Sequence, residues 1–285
     1  MKIFLTGKDG MLARAIAEVL GKRHEISGAN HKDADITDER AMRRVLVQAR
    51  PQAVVNAAAF TDVDACETQQ ELAFRVNAEG PRNLAAICAD MDIPLMHIST
   101  DYVFDGEKDG PYVEEDEPRP LSVYGRSKLQ GEQEVQKRLA RSWIVRVCGV
   151  FGPYRRNFVS LVVDMGRKKQ PLRIVRDQRL APTYTFDAAA GIGEILRRGP
   201  FGVYHLTNQG FTSRVEFTQE ILRQAGCEGS PVIPISAAEV NRPAPRPRNS
   251  QLENARMKRE GLQLLPGWQD AVSRYLGQFQ AKTLG

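Results

Sequence analysis

The feature that most limits the fold is an alternation, through residues 1–150, of short apolar runs with longer amphipathic ones. Residues 2–6 read as a strand, and after a glycine turn a helix covers 11–20. A weaker strand follows at 25–29. Thr37 is in position to cap a helix over 38–50, with acidic residues in its first turn and Pro51 beyond its end. Residues 53–59 read as a buried strand, helices cover much of 64–92, and 94–99 is the next strand. A polar loop rich in Pro, Gly and Asp runs to Ser122, followed by a helix over 124–139 and a strand over 143–150. Strands alternating with helices of these lengths build βαβ units. They predict an α/β fold with a Rossmann-type, doubly wound parallel sheet.

The second half is less regular. Residues 186–197 read as a helix, and 202–206 as a strand that returns to the sheet. The expected organisation is a dinucleotide-binding domain over 1–150, joined by 186–206, and a smaller α/β substrate-binding lobe made of 151–185 and 207–285. Ligands on such sheets lie beyond the carboxyl ends of the strands, so the site is expected between the lobes.

Composition narrows the function classes. At 42% hydrophobic and 26% charged, the chain is of globular type. No apolar run approaches the roughly eighteen residues that span a bilayer, and the N-terminus enters a strand pattern without room for a signal peptide. The net charge of +5 comes with neither a nucleic-acid-binding module nor a basic stripe interleaved with aromatics. A mild basic excess also suits ligands that carry pyrophosphates. Cys66, Cys88, Cys148 and Cys227 are far apart and form no metal or disulfide pattern, which points to reduced thiols in the cytoplasm and no metal.

Gly7 and Gly10, followed by Met11, Leu12 and Ala13, connect the first strand to the first helix. Glycines here permit a tight turn and close approach of backbone to a pyrophosphate, which the helix N-terminus favours electrostatically. The segment after the second strand, Ser27 to Lys32, has no acid before Asp33. His31 and Lys32 are either solvated loop residues or partners of a 2′-phosphate. We therefore expect NADPH, with NADH as the alternative. Tyr124 and Lys128 stand at i and i+4 on one helical face, and Ser99-Thr100-Asp101 ends a strand where the sheet presents ligands. A hydroxyl, a phenol and an ammonium so placed form the acid–base set of a short-chain dehydrogenase. A free tyrosine ionises near pH 10, so proton transfer at neutral pH would benefit from lowering that value by roughly 2–3, about 3–4 kcal/mol in favour of phenolate. A nearby lysine and an oxidised nicotinamide ring are the expected cause.

The run from His97 to Gly106, and the run from Pro120 to Leu129, resemble the dTDP-4-dehydrorhamnose reductases of the extended short-chain dehydrogenase/reductase family. So do Val55 to Ala59, Val63-Asp64 with Glu67, Val76 to Ala78, Asp177-Gln178 with Ala181 to Thr183, and Arg246-Pro247 with Asn249-Ser250 and Leu252. The resemblance runs in order along almost the whole chain. It implies that Gly7, Gly10, Met11 and Leu12 hold the cofactor pyrophosphate, Asp35 and Ile36 lie by the adenine, and Ala59, Phe60 and Thr61 flank the nicotinamide half. It makes Tyr124 the proton donor, with Lys128 on the nicotinamide ribose, Thr100 on the sugar carbonyl and Asp101 placing the sugar. The implied reaction is reduction of a dTDP-linked 4-keto-6-deoxy sugar.

Two departures stand out. Gly149 occupies the place where the family commonly has a tryptophan against the sugar, which suggests a roomier pocket. Arg14 and Ala15 stand where some members carry acidic residues of a magnesium-linked dimer, so no metal is carried over, although a homodimer is an expected state. Arg242, Arg246 and Arg248 either grip the substrate diphosphate, Arg246 foremost, or form a solvated loop. The rival readings are another nucleotide-sugar reductase or epimerase, and a regulatory subunit resembling the β subunit of methionine adenosyltransferase.

Overall fold

The computed structural model describes residues 1–283. In chain order the elements are β1 (Lys2–Thr6), α1 (Met11–Leu20), β2 (Glu25–Ala29), α2 (Glu39–Ala49), β3 (Ala53–Asn56), α3 (Val63–Thr68), α4 (Gln70–Phe74), a π-helical turn (Arg75–Glu79), α5 (Gly80–Asp90), β4 (Leu95–Thr100), α6 (Val123–Arg138) and β5 (Ser142–Val147). There follow β6 (Val150–Phe151), α7 (Phe158–Arg167), β7 (Leu172–Val175), β8 (Arg179–Leu180), β9 (Thr183–Tyr184), α8 (Thr185–Arg198) and β10 (Gly202–His205). The chain ends with β11 (Thr212–Ser213), α9 (Arg214–Gln224), β12 (Val232–Ile235), β13 (Asn249–Ser250), α10 (Ala255–Arg259) and α11 (Trp268–Thr283).

Six strands form one parallel sheet in the order β10-β5-β4-β3-β1-β2. The order reverses between β1 and β3, which opens the crevice where doubly wound sheets receive ligands. On one face α1 packs with α8, burying Ile16, Leu20, Ile192 and Ile195 against β-strand residues Ile3, Leu5 and Val145. On the other face α2, α5 and α6 cover Phe4, Val54 and Ile144. Strands buried on both faces are near-continuously apolar, as parallel strands must be. A separate cluster, including Phe151, Val162, Tyr184, Phe217 and Trp268, is the core of the segments that follow β5.

Three element ends differ from the sequence reading for local reasons. The cap of α2 is Asp38, whose carboxylate accepts the Ala41 N–H at 3.0 Å, while Thr37 donates its own N–H to Asp35 at 2.8 Å. The strand expected over 53–59 stops at Asn56, because the Asn56 side-chain oxygen takes the Ala58 N–H at 3.1 Å and turns the chain. The strand expected through 150 stops at Val147. Gly149 adopts φ +53°, and Val150–Phe151 leaves the sheet to pair with β9.

One buried ion pair ties α6 to β5. Glu132 and Arg146, 1% and 4% exposed, are joined through Nε at 3.0 Å and Nη2 at 2.6 Å. Arg146 Nη1 has no hydrogen-bond partner.

Candidate active site

At the β1–β3 reversal, Gly7 has φ +66°, and a β-carbon there would lie 2.8 Å from the backbone N and Cα of Ala58. The turns after β1 and β3 are thus in contact, and only glycine fits. Helix α1 begins beside them with Gly10 as its cap and no side-chain hydrogen bond to its first-turn N–H groups. An uncapped helix N-terminus next to a turn bounded by glycines can receive a phosphate, so Gly7, Gly10, Met11 and Leu12 fit a dinucleotide pyrophosphate. Ile36 is buried and its carbonyl accepts from Asn83, whereas Asp35 is exposed. Phe60 is clamped on both backbone groups by Asn77, at 2.8 Å and 3.0 Å, which fixes Ala59, Phe60 and Thr61 at the end of β3. Asn77 stands in the matched run Val76 to Ala78, whereas the π-helical form of the turn that presents it was not expected. After β2, Lys8 pairs with Asp33 at 2.6 Å, and His31 and Lys32 are exposed.

Thr100 ends β4, and Tyr124 lies in the first turn of α6. Ser122 caps that helix, accepting the Gly125 N–H at 3.1 Å, and Glu67 takes the Val123 N–H at 2.8 Å. The Thr100 hydroxyl lies close enough to the Tyr124 phenol to favour its ionised form. It also donates to Asp101 at 2.9 Å and accepts the Tyr102 N–H at 3.2 Å. Tyr102 packs edge-on against Tyr124, with ring centroids 5.8 Å apart. Lys128 is 2% exposed; its Nζ donates to the Ile98 carbonyl at 2.6 Å and lies 3.4 Å from His97 Nε2.

The electrostatics differ from the sequence expectation. Desolvation pushes the Tyr124 phenol upward, with Asp101 adding to the effect and Thr100 opposing it. Desolvation also lowers Lys128 to about 8, against the opposing pull of Glu132. Without bound ligands the phenol is therefore a protonated acid and not a nascent phenolate. Asp101 is raised by burial, beside Cys148, Ser250 and Thr100.

Next to this set a small cleft is lined by Asp101, Tyr102, Cys148, Gly149, Arg179 and Arg214 among others. Gly149 lines it, yet a β-carbon there would meet Leu180 Cδ1 at 2.9 Å and Pro182 Cα at 3.5 Å. The space expected from the missing tryptophan is thus filled in part by Leu180. Arg246 does not point freely at this cleft. Its guanidinium grips Asp64 at 2.5 Å and 2.8 Å, with Ala244 O a further acceptor, and the arginine holds Asp64 down to about 2. Arg242 is lowered by burial and by the charges of Arg246 and Arg214. Of these three guanidiniums, Arg214 lines the cleft. Arg179 and Arg214 had no signal in the sequence; Ser250, by contrast, stands in one of the matched runs. Among the described residues no group of His, Cys, Asp or Glu could hold a metal, and no helix is long and apolar enough to cross a membrane.

Comparison with known proteins matches residues 1–281 to the RmlD substrate binding domain. A dTDP-4-dehydrorhamnose reductase of Streptomyces griseus is 37% identical, over 94% of this chain and 91% of its own length. The crystal structure of a dTDP-4-dehydrorhamnose reductase from Clostridium acetobutylicum, 37% identical, superposes with a TM-score of 0.95, covering 98% of this chain and 100% of the other. That of the Bacillus anthracis enzyme, in complex with NADP, is 32% identical with a TM-score of 0.94, over 97% and 99% of the two chains.

Proposed function

The chain belongs to the RmlD substrate-binding-domain family of dTDP-4-dehydrorhamnose reductases, and from that premise we propose that it reduces the C4 ketone of dTDP-4-dehydro-L-rhamnose to the alcohol of dTDP-L-rhamnose. The observation that carries the reading is the placing of Tyr124, kept protonated by burial, close to Thr100 at the carboxyl end of β4, in the same sheet whose β1 leads into the glycine turn that a dinucleotide fits. A rival regulatory role would not need that acid. Bound NADPH, as in the Bacillus anthracis relative's NADP complex, supplies the hydride.

The protein's own residues bind, orient and move the proton. Gly7, Gly10, Met11 and Leu12 hold the pyrophosphate, Asp35 and Ile36 border the adenine, and Ala59, Phe60 and Thr61 border the nicotinamide half. Lys128 holds the nicotinamide ribose. Thr100 donates to the sugar carbonyl and stabilises the developing alkoxide, and Tyr124 protonates it. Asp101 positions the sugar. Arg179 and Arg214 on the cleft, with Arg242 feeling the charge of Arg214, favour an anionic diphosphate there. On this reading residues 1–150 and 186–206 serve the cofactor, and 151–185 and 207–285 the sugar nucleotide. Reduced dinucleotides and nucleotide sugars are cytoplasmic metabolites, so the enzyme works there. NADPH oxidation measured against a panel of dTDP-, UDP- and GDP-linked 4-keto sugars tests the proposal. Turnover is expected with the dTDP-linked 6-deoxy sugar, and no turnover with any member of the panel would overturn it.

A further inference from the structure

Behind the candidate acid–base set, a hydrogen-bonded chain runs through the sheet from β1 to α6. Thr6, Asn56, His97 and Lys128 are all at most 2% exposed. The polarity of this chain can be assigned from groups with no choice. The Ala58 backbone N–H can only donate, so the Asn56 atom 3.1 Å from it is the amide oxygen. That oxygen also accepts the Thr6 hydroxyl at 2.6 Å. The Asn56 amide nitrogen, which can only donate, then faces His97 Nδ1 at 2.9 Å. Nδ1 must accept and carries no proton, so the proton of the neutral ring sits on Nε2.

That Nε2–H points at Lys128 Nζ, 3.4 Å away. If Lys128 were an ammonium, two N–H groups would face each other without an acceptor between them. As an amine, Lys128 has a lone pair for His97 and an N–H for the Ile98 carbonyl, 2.6 Å away. We infer that His97 is a positioning residue that sets the proton count of Lys128: held as the Nε2–H tautomer by Asn56, it favours the uncharged amine in the ligand-free enzyme. The amine then forms at a lower pH than in an ordinary lysine, and an anionic ligand or a phenolate at hand would restore the charge.

The surroundings are consistent with this. Burial lowers Lys128 to about 8, and burial first and the lysine second keep His97 well below its usual value. On α6 itself, Tyr124 and the buried Glu132 accompany Lys128, while Arg126, Lys137 and Arg138 are exposed and Glu134 is paired with Arg138. Arg146 of β5 neutralises Glu132. Glu67 and Cys66 come from α3, and Asp101 and Tyr102 follow β4. Glu71, Arg75 and Glu79 of α4 and the π-turn are exposed, as is Asp90 of α5, and Arg82 is half-buried.

The protonation states do not depend on the proposed function, but their catalytic meaning rests on it. Nitrogen-15 NMR of the histidine-labelled full-length protein should show His97 protonated on Nε2. Protonation on Nδ1 would overturn the inference without any variant. Lysine-labelled protein should give a Lys128 midpoint more than one pH unit below the ordinary lysine value near 10.4; an ordinary value would overturn it. The Asn56→Asp variant replaces the obligatory donor with an acceptor, moves the histidine proton to Nδ1, and should raise the Lys128 midpoint by about one pH unit or more. The new carboxylate also acts through space, so the same substitution in a His97→Phe chain measures that share. An equal rise in both backgrounds would sink the tautomer argument. If the NMR midpoint moves while the alkaline limb of kcat/KM stays, the placing of Lys128 in the acid–base set fails and the inference about His97 stands.

Discussion

Tyr124 keeps its proton in the ligand-free protein because desolvation outweighs the help of Thr100, so what its hydroxyl offers is an acid. Tyr124→Phe removes that oxygen alone. We expect kcat to fall about 10²–10⁴-fold, the usual worth of a general acid, with dinucleotide binding retained, as single-turnover kinetics and a binding titration would report. Full kcat in this variant would mean another group supplies the proton. Lys128 makes a stability prediction of opposite character. Between about pH 8, its midpoint in the fold, and the unfolded value near 10.5, the unfolded chain binds more protons than the folded one. Stability therefore rises with pH across that window, and burial of the charge costs on the order of 3 kcal/mol below it. Urea midpoints of the parent minus Lys128→Met should climb from pH 8 to pH 10. A flat difference would show that Lys128 titrates normally.

Helix α6 carries Tyr124 and Lys128, and two side chains, Ser122 and Glu67, take the N–H groups at its start. Ser122 is buried and accepts the Gly125 N–H, so Ser122→Ala should cost about 1 kcal/mol, seen as a lower chemical-denaturation midpoint. No change would mean that Glu67 alone suffices as the cap. Elements of this kind were legible in the sequence: β2 has the expected ends, and α6 and α8 differ by a residue, because periodicity and capping residues are local signals. What was not legible came from tertiary contacts. Nothing in the run of alanines after Asn56 says that its amide will turn the chain. The two-residue strands β6, β8, β9, β11 and β13 are too short to carry a pattern. At the site, Thr100, Tyr124, Lys128 and the glycine turn could be read from motif and spacing. The engagement of Arg246 with Asp64, 182 residues away in sequence, could not, nor could Leu180 filling the space beside Gly149.

At the scale of the whole molecule, a dinucleotide held as proposed at the sheet reversal would brace the turns after β1 and β3 together. Any ligand of the folded state alone adds RT ln(1 + [L]/Kd), about 2.7 kcal/mol at a hundredfold excess over Kd. If exposed His31 and Lys32 meet a 2′-phosphate, NADPH should raise the melting temperature more than NADH at equal concentration. That advantage should shrink between 0.05 and 0.5 M salt, roughly as screening dictates. Equal shifts from both cofactors at every salt concentration would remove these two residues from the cofactor site.

The buried Glu132–Arg146 pair also bears on how this sequence can drift. Removing one partner of such a pair strands a charge in the interior and costs about 3–5 kcal/mol, whereas exchanging both for well-packed apolar residues is often neutral. A domain with roughly 5–15 kcal/mol of stability passes through the single-substitution intermediate only with difficulty. Across descendants of this gene, positions 132 and 146 should therefore change together or not at all, a covariation imposed by folding even where neither side chain touches substrate.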